Sequence, residues 1–372
     1  MKKKNILFLH SSSEMYGSDR SLLYLVETLD KSKYKLTVVL PCDGPLVEKL
    51  KKIEGVKVEI FNVAVLRRKN LSPRGMSTYC HDFISSYRYI KRMIRQQHID
   101  IIYTNVAVVF PGAIAATFSK NCKSVWHIRK IIKNKKERMI VAFMVNRFSD
   151  VIIANSKSTG EAICKKTSKL RVVYNAVDVK NTAVIHKDKK NLVVGMAGRI
   201  NRWKGQKLFV DMAEIVHKYR PDVKFKIAGS TYVGEGYLED ELKKYINQKG
   251  LTDIVQLLGQ VNDMDKFYQS LDIFVLPSIQ PEPFGLVVIE AMEKRLPVIA
   301  TNHGGPVEII DNGKNGYLVP FDTADVMAER CLKLCDDWRL REKIGEQAQA
   351  KKRSMFSLEK TIGRIDEVLQ NL

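Results

Sequence analysis

Two glutamates eight residues apart, Glu282 and Glu290, stand in a stretch over 277–305 that reads PSIQPEPFGLVVIEAMEKRLPVIATNHGG. It opens where an apolar run, 272–276, ends as a buried strand would, and passes through Pro and Gly into helical spacing. The pattern predicts that both carboxylates lie near the start of one helix at the carboxyl edge of a sheet. Ligands of open α/β sheets bind there, and a helix N-terminus offers free N–H groups and a positive end to a phosphate. Acidic side chains would repel that anion, so their chemistry is to accept hydrogen bonds from hydroxyls carried on it, those of a sugar or a ribose. Two cations, Arg199 and Lys204, bracket a turn in GRINRWKGQ at 198–206. From a sheet edge, two such groups can clamp a diphosphate from both sides without a metal. His127 ends the run SVWH, and Arg129 follows it. A lone histidine there is more often a packed or capping residue than a catalyst.

These residues need a sheet to position them. Strand-like runs recur at 5–10, 35–40, 56–61, 100–104, 124–127, 150–155 and 171–175, with helical patterns between most of them. Strands alternating with helices imply a parallel sheet covered on both faces. A polar, Lys-rich linker at 178–190 follows, and the pattern starts again with strands at 191–197, 223–229, 254–259 and 272–276. The loop after the first strand, 11–20, contains Gly17 and leads into a helix over 21–29, a geometry that can cradle a phosphate. The segment 67–78 is basic, holds Pro73 and Gly75, and reads as a mobile loop on the acceptor or membrane side. Residues 83–97 form an amphipathic helix, with Phe83, Tyr87, Ile90 and Ile94 on one stripe and Arg88, Lys91, Arg92 and Arg95 on another. A second basic cluster, including Lys135 and Lys136, precedes the apolar residues 139–145, which are either core or an interfacial face.

Composition narrows the class. A chain of 372 residues has room for about two domains, each with its own core. No apolar run approaches the roughly 18 residues a membrane span needs, and no cleavage-like site follows the first strand, so a cytosolic protein is expected. The six cysteines are scattered without metal or disulfide spacing. Charge is distributed unevenly: residues 1–180 carry 34 Lys and Arg against 14 Asp and Glu, while 181–372 carry 28 against 27. Such asymmetry implies that the first half faces a polyanion or an anionic membrane.

Taken together, Glu282-x7-Glu290 with Phe284-Gly285 and Ala291-Met292, the Gly198-Arg199 and Trp203-Lys204-Gly205-Gln206 turn, and His303-Gly304-Gly305 before Glu308 resemble the signature of family-4 retaining glycosyltransferases of the GT-B fold. The resemblance implies an α/β architecture of two Rossmann-like domains facing across a cleft. These are an acceptor-binding domain at 1–180 and a nucleotide-sugar-binding domain at 181–355, with a C-terminal helix at 356–372 crossing back to the first. It implies transfer of a sugar from a UDP- or GDP-sugar to a saccharide, lipid-linked or otherwise membrane-associated, in cell-envelope or capsular polysaccharide synthesis. The implied donor site comprises Gly17, Arg199, Lys204, the backbone of Phe284 and Gly285, and Glu290 on the ribose. Glu282 would meet the sugar hydroxyls, and His127 the transferred sugar. Arg88, Arg92, Lys135 and Lys136 would lie on the acceptor or membrane side. No cofactor and no metal are expected, and the protein would sit peripherally on the inner face of a membrane. A sugar-nucleotide epimerase shares this fold. A basic membrane- or nucleic-acid-binding protein without catalysis would explain the charge, but it leaves the glutamate pair unexplained, and the chain lacks the interleaving of aromatic and basic residues that single-strand binding uses.

Overall fold

Short runs rich in Ile, Val, Leu and Phe cannot be left in water, and in the structure they pair edge to edge as parallel strands. The computed structural model describes residues 3–67, 70, 72–164, 167–178, 183–188, 190–232 and 234–372. In the first half, β1 (Lys4–Leu9), β2 (Tyr34–Leu40), β3 (Val56–Ile60), β4 (Ile101–Thr104), β5 (Lys123–Ile128), β6 (Val151–Ala154) and β7 (Leu170–Val172) form one sheet in the order β3-β2-β1-β4-β5-β6-β7. In the second, β8 (Val193–Ala197), β9 (Lys224–Ala228), β10 (Val255–Leu257), β11 (Ile273–Leu276), β12 (Val298–Thr301) and β13 (Tyr317–Val319) form another in the order β10-β9-β8-β11-β12-β13. Every pairing between these strands is parallel, so each connection crosses over through a helix or loop. Both are Rossmann-like sheets, and in each the strand order reverses once, between β1 and β4 and between β8 and β11.

The chain divides into Met1–Ala176 with Leu358–Leu372, and Val177–Ser357. In the first unit, side chains alternate across the sheet as the two-residue period demands. Ile6 and Phe8 pack with the helices Gly17–Thr28, Pro45–Lys51 and Leu358–Gln370 on one face. Leu7, Leu9 and Trp126 pack with Pro73–Gln96, Pro111–Thr117, Lys135–Phe148 and Lys157–Ile163 on the other. The last helix of the chain thus completes the core of the first unit. Ile362, Ile365 and Leu369 are buried there, Tyr34 Oη donates to Asp366 (2.6 Å), and Lys4 Nζ donates to the carbonyl of Leu369 (3.0 Å).

Three expectations change. The segment read as a loop at 67–78 enters a helix at Pro73, because Ser72 accepts the N–H of Gly75 (3.2 Å) as its cap and proline suits the first turn. Residues 68, 69 and 71 of that segment lie outside the described residues. The helix expected from Ser21 begins at Gly17, since the Asp19 carboxylate accepts the N–H of Tyr16 (2.9 Å) and closes the first turn early. Of the linker at 178–190, residues 183–188 pack on the second unit: Val184 N–H donates to the Lys294 carbonyl (2.8 Å) and His186 N–H to Glu342 (3.1 Å). Residues 179–182 and 189 lie outside the described residues.

Candidate active site

The carboxyl ends of β8 and β11 meet at the reversal point of the second sheet, and the loops leaving them carry Arg199 and Lys204 on one side and Ser278 and Glu282 on the other. Lys204 Nζ donates to Glu282 Oε1 at 2.6 Å, and Ser278 Oγ donates to the same oxygen at 2.5 Å. Burial alone would raise the Glu282 pKa. The Lys204 charge and hydrogen bond, the Ser278 hydroxyl and nearby His303 outweigh it and hold the carboxyl below its ordinary value. Glu282 is therefore an anion at neutral pH, able to accept and unable to donate. An ammonium has three donors, so Lys204 can keep Glu282 and still meet a phosphate oxygen.

The Lys204 turn sits against the β11 loop because of Gly205. This residue caps the helix Gln206–Tyr219 at φ +78°, and a Cβ there would lie 1.8 Å from the Pro277 carbonyl. Gln206 Nε2 donates to the Arg199 carbonyl (2.9 Å), fixing the turn, and the Arg199 guanidinium lies 3.2 Å from the centroid of the Tyr232 ring.

Glu282 and Glu290 do not share a helix. The helix runs from Leu286 to Glu293, whereas Glu282 lies before it in extended chain bridged to Gly304, its carbonyl accepting the Gly305 N–H at 2.8 Å. The sequence between them, Pro283-Phe284-Gly285, holds a proline and a glycine that delay the helix start. Gly285 caps it at φ +104°, and the Phe284 ring is buried against Phe356 (centroids 5.7 Å), so only its backbone is left for a ligand. Glu290 is buried inside the helix and accepts from Tyr268 Oη at 2.7 Å. His303 Nε2 lies 2.6 Å from the Ser278 carbonyl, which can only accept, so that nitrogen carries the proton and ties the Gly304-Gly305 turn to the β11 loop.

At the reversal point of the first sheet, His10 directly follows β1 and Asn105 directly follows β4, while His127 lies near the end of β5 and Arg129 just beyond it. These side chains form one hydrogen-bonded chain, buried except at Arg129, which is half-buried. Arg129 Nε donates to Asn105 Oδ1 (2.8 Å), Nη1 to Asn175 Oδ1 (2.6 Å) and Nη2 to His127 Nδ1 (3.1 Å). Arginine only donates, and this decides everything downstream. Asn105 must accept through oxygen, so its amide donates to His10 Nδ1 (3.2 Å), and His10 Nε2–H then donates to Asp19 Oδ1 (2.6 Å). His127 Nδ1 must accept, with Tyr103 Oη also 2.6 Å from it, so the His127 proton sits on Nε2. That N–H is buried and has no hydrogen-bond partner among the described residues. Burial and the Arg129 charge push the His127 pKa well below its ordinary value, so the ring is a neutral donor. Burial likewise lowers Arg129, to about 10, with Tyr103 and Asp19 opposing; it stays a cation at neutral pH.

The site residues therefore divide by unit: Gly17 and His127 in the first, Arg199, Lys204, Glu282, Phe284, Gly285 and Glu290 in the second. Gly17 is an ordinary first-turn residue, its carbonyl accepting Ser21 Oγ (2.8 Å). Arg88 and Arg92 line an open groove of about 490 Å³ floored by Phe61 and Tyr89, while Lys135 and Lys136 begin the helix Lys135–Phe148 behind the Asn134 cap. Sequence reasoning missed Asp19, His10, Asn105, Tyr268, Ser278 and Tyr232, and placed His303 in the signature without a contact of its own. Only His10, a polar residue ending the first strand, and His303, beside the two glycines, carried a local signal.

Both halves of the chain resemble known proteins. The family described as Glycosyltransferase Family 4 matches residues 15–181, and the family described as Glycosyl transferases group 1 matches 179–351. An uncharacterized glycosyltransferase of Methanocaldococcus jannaschii is 27% identical over 300 residues, 78% of this chain and 80% of that protein. The lipopolysaccharide core biosynthesis mannosyltransferase LpsB of Rhizobium meliloti is 28% identical over 242 residues, 62% of this chain and 68% of that protein. Anabaena HepE, solved in complex with UDP-glucose, superposes with a TM-score of 0.84 at 25% identity, over 99% of this chain and 100% of that one. With both sheets Rossmann-like and both halves matched, this chain is a glycosyltransferase of the GT-B fold, its first half on the family 4 pattern and its second on the group 1 pattern.

Proposed function

We propose that the chain transfers a sugar, with retention of configuration, from UDP-sugar to a saccharide acceptor held at a membrane, as a step in building a cell-envelope polysaccharide. The observation that carries the donor assignment is the Lys204–Glu282–Ser278 cluster at the reversal point of the second sheet. The complex of HepE with UDP-glucose supports UDP, and the lipopolysaccharide-core mannosyltransferase supports an envelope glycan. In this reading Arg199 and Lys204 hold the diphosphate, Glu290 the ribose hydroxyls, and Glu282 the hydroxyls of the sugar. Backbone N–H groups at Phe284 and Gly285 assist at the helix start. Negative charge grows on the departing diphosphate, so both cations bind the transition state more tightly than the ground state. The neutral His127 Nε2–H donates to the transferred sugar and does not act as a base. No metal or cofactor takes part. The acceptor side belongs to the basic first unit, and its membrane association is peripheral.

Thermal stability against UDP, GDP and their sugars tests this. UDP at about 100 times its dissociation constant should stabilise the wild type by roughly 2.7 kcal/mol and leave Lys204→Ala and Glu290→Ala unshifted. A wild type that no nucleotide shifts overturns the assignment.

A further inference from the structure

The excess positive charge of the first half is not spread around its unit. The four helices packed on the Leu7, Leu9 and Trp126 face (Pro73–Gln96, Pro111–Thr117, Lys135–Phe148 and Lys157–Ile163) carry ten Lys and Arg against three acids, Asp82, Glu137 and Glu161. The three on the opposite face carry five against six. Host composition or solubility would charge both faces alike.

Apolar side chains protrude from the basic face. Of the helix Lys135–Phe148 only Val141 and Val145 are buried, whereas Met139 is 63% exposed, Ile140 47% and Phe143 66%. Phe118, at the end of the neighbouring helix, is 65% exposed, and Lys91 Nζ of the Pro73–Gln96 helix donates to its carbonyl and to Ser119 Oγ (2.8 Å). On the same helix Ile84 is 50% exposed one turn before Arg88. Large apolar side chains set among lysines and arginines are costly in water and suit the boundary between headgroups and acyl chains, where each finds its own medium. A polynucleotide would use the charge, and a single strand could stack a base on Phe143, but either leaves the aliphatic Met139 and Ile140 in water.

We propose that this face is a lipid-docking surface, in which Phe118, Met139, Ile140 and Phe143 insert into an anionic bilayer while Lys135, Lys136, Arg138 and Arg147 meet its phosphates. Charge complementarity commits the occupant to an anionic membrane. The inference rests on the membrane-held acceptor proposed above and supplies the surface that would bring the enzyme to it.

Co-sedimentation of the full chain with vesicles of phosphatidylcholine alone, and of phosphatidylcholine with phosphatidylglycerol, tests it. The wild type should bind the mixed vesicles and not the neutral ones, each basic contact being worth about fivefold. The exposed-site double variant Met139→Ser/Phe143→Ser should lose at least about tenfold with an unchanged Tm, because these side chains contribute only once they leave water. Equal binding to both vesicle types, or full binding by that variant, overturns the proposal. So does an oligonucleotide that displaces the protein from mixed vesicles equally in wild type and double variant. UDP-induced stabilisation, measured on the same samples, separates the two readings: a protein shifted by UDP that ignores vesicles sinks the docking face alone, and one that binds vesicles but not UDP sinks the donor site alone.

Discussion

The two sheets reverse their strand order at equivalent places and furnish those places oppositely. In the first unit, one arginine imposes its donor-only character on a buried series of neutral groups, Asn105, His10, His127 and Tyr103, that ends on the Asp19 carboxylate. In the second, Lys204 and Glu282 pair directly, and Arg199 is held from outside by a half-exposed aromatic ring. The first arrangement fixes a tautomer and presents one oriented donor. The second stores opposite charges in one buried pair, which in the proposed function a diphosphate and its sugar would share out. The same sheet geometry thus positions an oriented donor in one unit and an ion pair in the other.

The largest effect should come from splitting the ion pair. Lys204→Ala leaves a buried carboxylate without its cation and should cost about 3 kcal/mol in urea denaturation. Adding Glu282→Gln should recover most of that stability while UDP still fails to shift the melting point. Recovery of the shift would show that Lys204 is only structural. Asp19→Asn should cost about 2 kcal/mol, since the amide has one acceptor oxygen for the two donors, His10 Nε2–H and Tyr16 N–H, that the carboxylate serves. It should lower kcat while leaving the UDP-induced shift as in wild type, because the disturbed element is the first unit's relay; an altered UDP shift would break the division between the units.

Two pH effects sharpen the comparison. His127 is held neutral in the fold, so below about 6.5 the unfolded chain takes up a proton that the native state refuses. Wild-type stability should fall with decreasing pH by up to about 1.4 kcal/mol per unit relative to His127→Gln. Parallel profiles would mean the ring is protonated in the fold. Glu282 has the same sign in a more acid window, its pKa being depressed as well. Its contribution is present above the unfolded value of 4.5 and is lost as pH falls through the lower folded value, so wild type and Glu282→Gln should differ in slope only on the acid side. This is the smallest effect, because Lys204 and Ser278 work against the burial penalty and only the remainder is visible.

Much of this was legible in the chain. The apolar runs and their spacing specify a parallel α/β architecture twice over, because no other arrangement buries such runs on both faces. Glycine placement marks the turns at Lys204-Gly205 and His303-Gly304-Gly305, where a side chain would strike the backbone of Pro277 or Glu282. Local pattern could not place Glu282 outside its helix, since a Pro-x-Gly break shifts a boundary by a few residues without changing periodicity. Nor could it say whether residues 139–145 were core, because one apolar stripe serves a sheet or a membrane equally well.

Composition and period alone determined the element types, the doubling of the fold and the basic character of the first half, for these depend on which residues follow one another. Tertiary structure alone decided which residues meet. The crossover order brings Lys204 to a carboxylate 78 positions away, joins Asp19 to Arg129 through His10 and Asn105, and sorts the charge to one face. Those outcomes depend on which strands are neighbours and which side of the sheet each helix covers, and that is set by packing across the whole unit.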